Sequence, residues 1–346
     1  MSAVRRVSAL PTASGGIARA AYARAAQAGV DLKPLLHSAA LSLKQISTSD
    51  VRISVRSQVK FLNAVAGALE DEFLGVRIAQ SIELRELGLL YYVMASSENL
   101  ANALARLARY SGIQNEGVHL AFSQHRHVAM SFEHSGFSRA DDRHQVECFM
   151  AILLRVCRQL TDRHLLPQKV QLAHRRSGAR TFLTKYFGCE IEFGARRDQI
   201  IFSPDVGDAA IAHADPYLNS LLRRYCEDLL RSRRAKQDAW TSKVENCIAP
   251  LLPHGEATIE KVAETLGVSL RTLGRRLQKE DTSFVKIVQD LRLRLAKNYF
   301  REPGMSIAQI AWLLGYQEPS AFSHAFKRWT GKSPRRDRIG SKVLRP

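Results

Sequence analysis

The chain lacks the marks of most chemistry. Its five cysteines, Cys148, Cys157, Cys189, Cys226 and Cys247, are odd in number, widely spaced and never arranged as C-x-x-C. Neighbouring positions therefore build neither a zinc site nor a dithiol redox centre, and the five read as reduced thiols of a cytoplasmic protein. There is no G-x-G-x-x-G, no P-loop and no Ser-His-Asp pattern, so the expectation is no enzyme, no cofactor and no metal. No apolar run approaches the ~18 residues that span a bilayer, and no apolar segment near the amino terminus marks secretion. A membrane is not expected among the partners. Acid is scarce as well: 33 Asp and Glu face 51 Lys and Arg, leaving a net charge of +18 and a pI near 10.0. Such a surplus favours polyanionic partners.

What is present suggests two domains, since 346 residues exceed the ~100–200 of a typical one. The first 30 residues contain Arg and Ser but no acid, a composition shared with transit peptides; a tail over residues 1–16 is the simpler expectation. From Ile17 to about Leu160, stretches such as "SVRSQVKFLNAVAGALE", "SENLANALARLARY" and "RHQVECFMAILLRVCRQL" have helical periodicity. Strand signals interrupt it. "VHLAFSQHRHVAMSFEH" alternates on both sides of a polar tip as a hairpin does, and "KVQLAH", "CEIEF" and "DQIIFS" are further candidates. Residues 17–232 are thus expected to form an α+β domain whose strand order is not readable. A basic linker is expected at 233–239.

After Trp240 the strand signals vanish, and an all-α unit over 240–338 with a basic tail at 339–346 is expected. From Ala239 to Pro346, 19 Lys and Arg stand against 10 Asp and Glu, half the total surplus in under a third of the chain. Within it "TIEKVAETLGVSLRTLGRRL" and "SIAQIAWLLGYQEPSAFSHAF" form an internal repeat. Thr258 and Ser306 can cap a helix; Ile259, Val262, Ala263 and Leu266 match Ile307, Ile310, Ala311 and Leu314; Gly267 matches Gly315. With one extra residue in the second copy, Leu273 and Leu277 match Phe322 and Phe326. A helix burying one stripe, a turn tolerant of positive φ and a second helix crossing the first make a helix-turn-helix. Ser306 and Gln309 suit a capping box and Pro319 a first helical turn. "SFVKIVQDLRLRLAKNYF" places Phe284, Ile287, Val288, Leu291, Leu295 and Tyr299 at helical spacing, a helix of ~25 Å that can hold two such units on one frame.

At these residues the chain resembles the DNA-binding domain of the AraC/XylS family of bacterial transcription regulators. The likeness is carried by "GYQEPSAFSHAFKRWTGKSPRRDR", with Ser320, Phe322, Phe326, Lys327, Gly331, Ser333, Pro334 and Arg338 in the family's pattern. It implies that Ser269 to Lys279 and Pro319 to Trp329 are recognition helices. Many members have a glycine turn after the first, where this chain has "KEDTSF" with Asp281, so a different entry into the connecting helix is expected. On the polar faces, Arg271, Arg275, Ser320 and His324 are the candidates for reading base edges, guanidinium being suited to guanine O6 and N7. Thr272, Arg276, Ser306, Lys327 and Arg328 are the candidates for phosphate contact and positioning. Arg276 could equally meet solvent. Phe322, Phe326 and Trp329 read as core rather than as stacking residues.

More weakly, the amino-terminal half resembles the large effector domain of family members such as those of ornithine catabolism. That likeness implies a small organic effector and a homodimer surface, and no effector-binding residue can be carried over. His119, His125, His127 and His134 crowd the hairpin, where a polar tip is a plainer reading than a metal site. Tyr91, Tyr92 and Met94 can line a pocket, although an aromatic run on a helix is more often core. The expected function is a sequence-specific regulator, an activator, bound to a double-stranded DNA operator and to RNA polymerase. Two other classes fit less well: an alkyl-transfer repair enzyme, which needs clustered cysteines, and an architectural DNA protein, which leaves over 200 residues unexplained.

Overall fold

The computed structural model describes residues 11–48, 51–134, 141–176, 180–300 and 304–343. They divide into two compact units, Pro11–Arg231 and Ser232 onward.

The first unit is α+β. Its helices are α1 (Gly16–Gln27), α2 (Leu32–Ser38), α3 (Leu43–Ser47), α4 (Val55–Ala68), α5 (Leu74–Ser81), α6 (Leu89–Ala95), α7 (Leu100–Gln114), α8 (Arg143–Thr161), α9 (Arg180–Phe187) and α10 (Pro216–Asp238). Strands β1 (Thr12–Ala13) and β2 (Ile53–Ser54) pair with each other, and β3 (Val118–Gln124), β4 (Val128–His134), β5 (Lys169–Leu172), β6 (Ile191–Phe193) and β7 (Asp198–Phe202) form a sheet in the order β3-β4-β7-β5-β6. Every strand pair in that sheet is antiparallel except β5–β6. The hairpin register pairs Val118 with His134 and Gln124 with Val128, as the alternation predicts.

Burial explains the helices around it. The α8 sequence places Val146, Met150, Leu153, Leu154 and Cys157 at helical spacing, and all are buried. Its closest neighbour is α5. A Cβ on Gly75 would lie 2.1 Å from the His144 carbonyl oxygen, so only a glycine lets these backbones approach so closely. One carboxylate buried there has cations beside it: Glu147 accepts from His174 Nε2 at 3.0 Å and faces Arg176 Nη1 at 3.5 Å. A buried carboxylate is tolerated only with such company.

Three boundaries differ from the sequence expectation. Residues 1–10 lie outside the described residues, but Thr12 and Ala13 are already paired with Ser54 and Ile53, so the fold begins before Gly16. Most of the linker expected at 233–239 lies in α10, which runs on to Asp238. The tail expected from 339 continues α17 (Pro334–Val343); its last three residues are outside the described set.

The second unit is all-α, with α11 (Trp240–Leu251), α12 (Ile259–Thr265), α13 (Leu270–Gln278), α14 (Phe284–Tyr299), α15 (Ile307–Leu313), α16 (Pro319–Thr330) and α17. It has two cores on one shaft. The amino-terminal half of α14 gives Ile287, Val288 and Leu291 to a core with Ile248, Val262, Leu273 and Leu277. Its carboxyl-terminal end gives Ala296, followed by Phe300, to a core with Ile310, Leu314, Phe322 and Phe326.

Candidate nucleic-acid interface

The two helix pairs α12–α13 and α15–α16 are built by the rules their sequences obey. Thr258 caps α12, its hydroxyl accepting from Lys261 N at 3.3 Å. Ser306 caps α15 through a complete capping box: its hydroxyl accepts from Gln309 N at 3.1 Å and its own N–H donates to Gln309 Oε1 at 2.7 Å. The turns close on Gly267 and Gly315, at φ 64° and 78°, where a side chain would be strained. Ser269 caps α13, accepting from Thr272 N at 3.2 Å, and its hydroxyl also bonds Thr272 Oγ1 at 2.9 Å. Pro319 occupies the first turn of α16.

Each second helix then has one buried and one open face. Leu273 and Leu277 are buried on α13, while Arg271, Gly274, Arg275 and Gln278 are exposed. On α16, Phe322, Ala325 and Phe326 are buried, while Ser320, Ala321, His324, Lys327 and Arg328 are exposed. Phe322 and Phe326 lie edge-to-face with ring centroids 5.8 Å apart, so the aromatics fill core.

The cations of this unit separate into two groups. Arg276 is half-buried, its guanidinium 4.1 Å from the Trp240 ring centroid; it packs on the domain's own indole instead of standing with Arg271 and Arg275. Arg292 Nε donates to the Leu314 carbonyl at 2.9 Å and its guanidinium lies over Tyr316. Arg294 pairs with Glu245 at 2.8 Å, and Arg338 Nη1 donates to the Met305 carbonyl at 2.5 Å. By contrast Arg271, Arg275, Ser320, His324 and Lys327 make no side-chain hydrogen bond or ion pair among the described residues. Arg328 is as open as these, with Tyr316 within its electrostatic reach. Donors left exposed and uncommitted on two equivalent helix faces are available to a polyanion.

Sequence reasoning missed the device that fixes α13 to α11. The Glu280 carboxylate accepts from Trp240 N at 2.6 Å, Thr241 N at 2.9 Å and Thr241 Oγ1 at 2.8 Å, capping α11 from 40 residues away. Burial alone would raise its pKa; the bonds from Thr241 and Trp240, with the Lys243 charge, outweigh that and lower it. An acid at a helix N-terminus invites a local cap search, but here the acid follows the helix it caps. Asp281, where the resemblance led to the expectation of a different entry into the connecting helix, takes the left-handed conformation itself at φ 52°. The chain thus turns there without a glycine, since Asp tolerates this region better than most residues.

The comparisons with known proteins match this division. Residues 29–210 match the family described as the arabinose-binding domain of AraC transcription regulator, N-term, and residues 262–338 match a helix-turn-helix domain family. The chain belongs to the AraC family of transcription regulators. It is 27% identical over 293 residues to the HTH-type transcriptional regulator VirS of Mycobacterium tuberculosis, covering 84% of this chain and 85% of that one. It is 25% identical over 322 residues to the ornithine utilization regulator of Pseudomonas aeruginosa, covering 91% and 94%. The crystal structure of transcriptional regulator CdpR from Pseudomonas aeruginosa aligns over 94% of this chain and 98% of that one, with a TM-score of 0.47 and 18% identity.

The family is one of transcription regulators, not of enzymes. Burial pushes the Cys157 pKa up to about 12 and that of Cys226 up to about 11, so these two stay protonated near neutral pH. On the hairpin, His127 Nδ1 meets Gln168 Oε1 at 3.1 Å and His134 Nδ1 faces Asp142 at 3.1 Å. Of the aromatic run on α6, Tyr91 and Met94 are buried and border a cavity, while Tyr92 is exposed. No helix among the described residues is long and apolar enough to cross a membrane.

Proposed function

We propose that the protein binds a bipartite operator in double-stranded DNA, with α13 and α16 in successive major grooves ~34 Å apart. Arg271 and Arg275 read base edges in one block, Ser320 and His324 in the other. Lys327 and Arg328 hold phosphates, with the helix starts at Thr272 and Ser306 against the backbone. The observation that carries this reading is the pair of open helix faces whose donors have no partner among the described residues.

A small organic molecule bound in the unit Pro11–Arg231 alters DNA affinity or contact with RNA polymerase, the coupling being ~1–3 kcal/mol and reciprocal where it acts through affinity. The protein acts in the cytoplasm as an activator, and the same unit supplies the surface for a homodimer. The family match to an effector-type domain over residues 29–210 supports the sensing part. Selection of sites by the full chain from a random duplex pool tests the DNA part: the selected motif should hold two separated blocks. Binding that enriches no sequence would defeat it.

A further inference from the structure

The unit Pro11–Arg231 contains a cavity of about 750 Å³, within the range of small-molecule sites. Its long wall is apolar. Phe149, Ile152, Leu153 and Val156 recur along one side of α8, and Leu120 and Phe132, paired across the hairpin, extend that surface. Most of the polar groups gather elsewhere, and several of them are tied to one another. Arg19 Nη1 donates to the Ser14 carbonyl at 2.9 Å, Ser14 N donates to the Gln114 carbonyl at 2.9 Å, and Gln114 Nε2 donates to the Leu87 carbonyl at 3.0 Å. Among the described residues bordering the cavity, Arg19 is the one cation and Glu86, exposed to solvent, the one anion. Gln58 and Asn115 also border it: Gln58 Nε2 donates to Gln145 Oε1 at 2.8 Å and Asn115 Oδ1 accepts from Gly117 N at 2.9 Å, which leaves Gln58 Oε1 and Asn115 Nδ2 without a partner among the described residues, too few for the hydroxyls of a sugar.

We infer that this cavity binds an apolar molecule with a single polar head group, its body along α8 and its head toward Arg19. The inference rests on the reading that this unit senses an effector, and it names the chemical class. At the ~30 Å³ that a water occupies, the space suits an occupant of up to about 25 non-hydrogen atoms. A sugar is a poor fit despite the name of the matching family. Each hydroxyl taken from water needs a partner, and the wall of Phe149, Ile152, Leu153 and Val156 offers none. A dibasic amino acid such as ornithine brings two ammonium groups against a lining whose one carboxylate stands in solvent. An apolar body loses no hydrogen bond on entry, and one anionic head is matched by the Arg19 guanidinium.

The test uses the full-length protein and anilinonaphthalene sulfonate, a fluorescent probe with an apolar body and one anionic head. Its emission should rise saturably and be displaced by decanoate, while L-arabinose and L-ornithine leave it unchanged. Ala20→Trp and Ala23→Trp on α1 both put an indole into the space. Each should weaken the probe by ~10-fold or more through exclusion; Ala23 is exposed, so its variant keeps the test valid if Ala20→Trp does not fold. Displacement by arabinose or ornithine but not decanoate, or unchanged probe affinity in folded Ala23→Trp, would overturn the class. Decanoate that binds in the cavity yet leaves operator affinity and transcription in vitro untouched would support the class and count against the sensing role, so the two failures are separable.

Discussion

The two helix-turn-helix units share a plan and differ in what fills and braces them. The first is packed by aliphatic side chains, Leu273 and Leu277 against Val262, Ile287 and Leu291; the second by aromatics, Phe300, Phe322 and Phe326, with Tyr316 and Trp329 at its edge. Their turn glycines differ more. A Cβ on Gly267 would meet nothing within 4 Å, whereas one on Gly315 would lie 2.2 Å from the Leu252 carbonyl oxygen. The same turn is therefore a free corner in the first unit and a joint in the second. There Gly315 lets the turn sit against Leu252, just past the end of α11, and the Arg292 bond to Leu314 ties the same turn to α14. Equivalent positions of a repeat thus carry unequal structural demands, and the amino acid alone does not reveal which is which.

The largest effect expected from breaking this comparison is at the glycines. Gly267→Ala should cost ~1–2 kcal/mol, the price of left-handed backbone. Gly315→Ala should cost that and more, about 3 kcal/mol or above, because a backbone carbonyl must also move. Urea unfolding of both variants measures the gap, and equal midpoints would remove the distinction between corner and joint.

Next come the open faces. Arg271→Ala in the first unit and His324→Ala in the second should each cost ~1–3 kcal/mol at the selected operator and relax preference at separate blocks. Lys327→Ala should weaken all sequences alike and reduce the slope of log K against log[salt] by ~1. Affinities across salt, with site selection for each variant, distinguish them. Identical behaviour of all three would sink the assignment of readers and holders.

Glu280 belongs to the first unit only. Its folded pKa is lowered, so its stabilisation is present above the unfolded value of ~4.3 and is lost as pH falls through the folded value. Glu280→Ala should cost ~1 kcal/mol at neutral pH, as a lost helix cap does. Stability curves of wild type and variant should then converge in acid; a gap that stays constant from neutral to acid would show that the charge is immaterial. The smallest effect is a gain: Gly274 is exposed with open space around its Cβ position, so Gly274→Ala should add ~0.5–1 kcal/mol to thermal stability.

Much of this was legible in the chain because it is written locally. Helices α13 and α16 fall where a period of 3.6 follows a turn glycine, opened by the Ser269 cap in the first and by Pro319 in the second, and β3 and β4 fall where residues alternate. Their neighbours are not written locally. Strand β7 lies between β4 and β5, a placement set by pairing across many residues. Arg276 looks like any surface arginine until Trp240 arrives beneath it from α11. The cavity was half legible for the opposite reason. Tyr91 and Met94 read as pocket lining or, more plainly, as core, and they are both, buried yet bordering empty space; periodicity does not separate a residue packed on all sides from one packed on three.

The helix α14 has a consequence for how such a molecule can change. Because both cores draw on one continuous shaft, inserting a residue near its middle would advance the second half by ~1.5 Å and rotate it by ~100°. That would swing the aromatic core away from the joint at Leu252 and turn His324 relative to Arg271. Length variation here is therefore closed to gradual drift. New operator spacings are more readily reached by moving side chains around the fixed shaft than by lengthening the shaft itself.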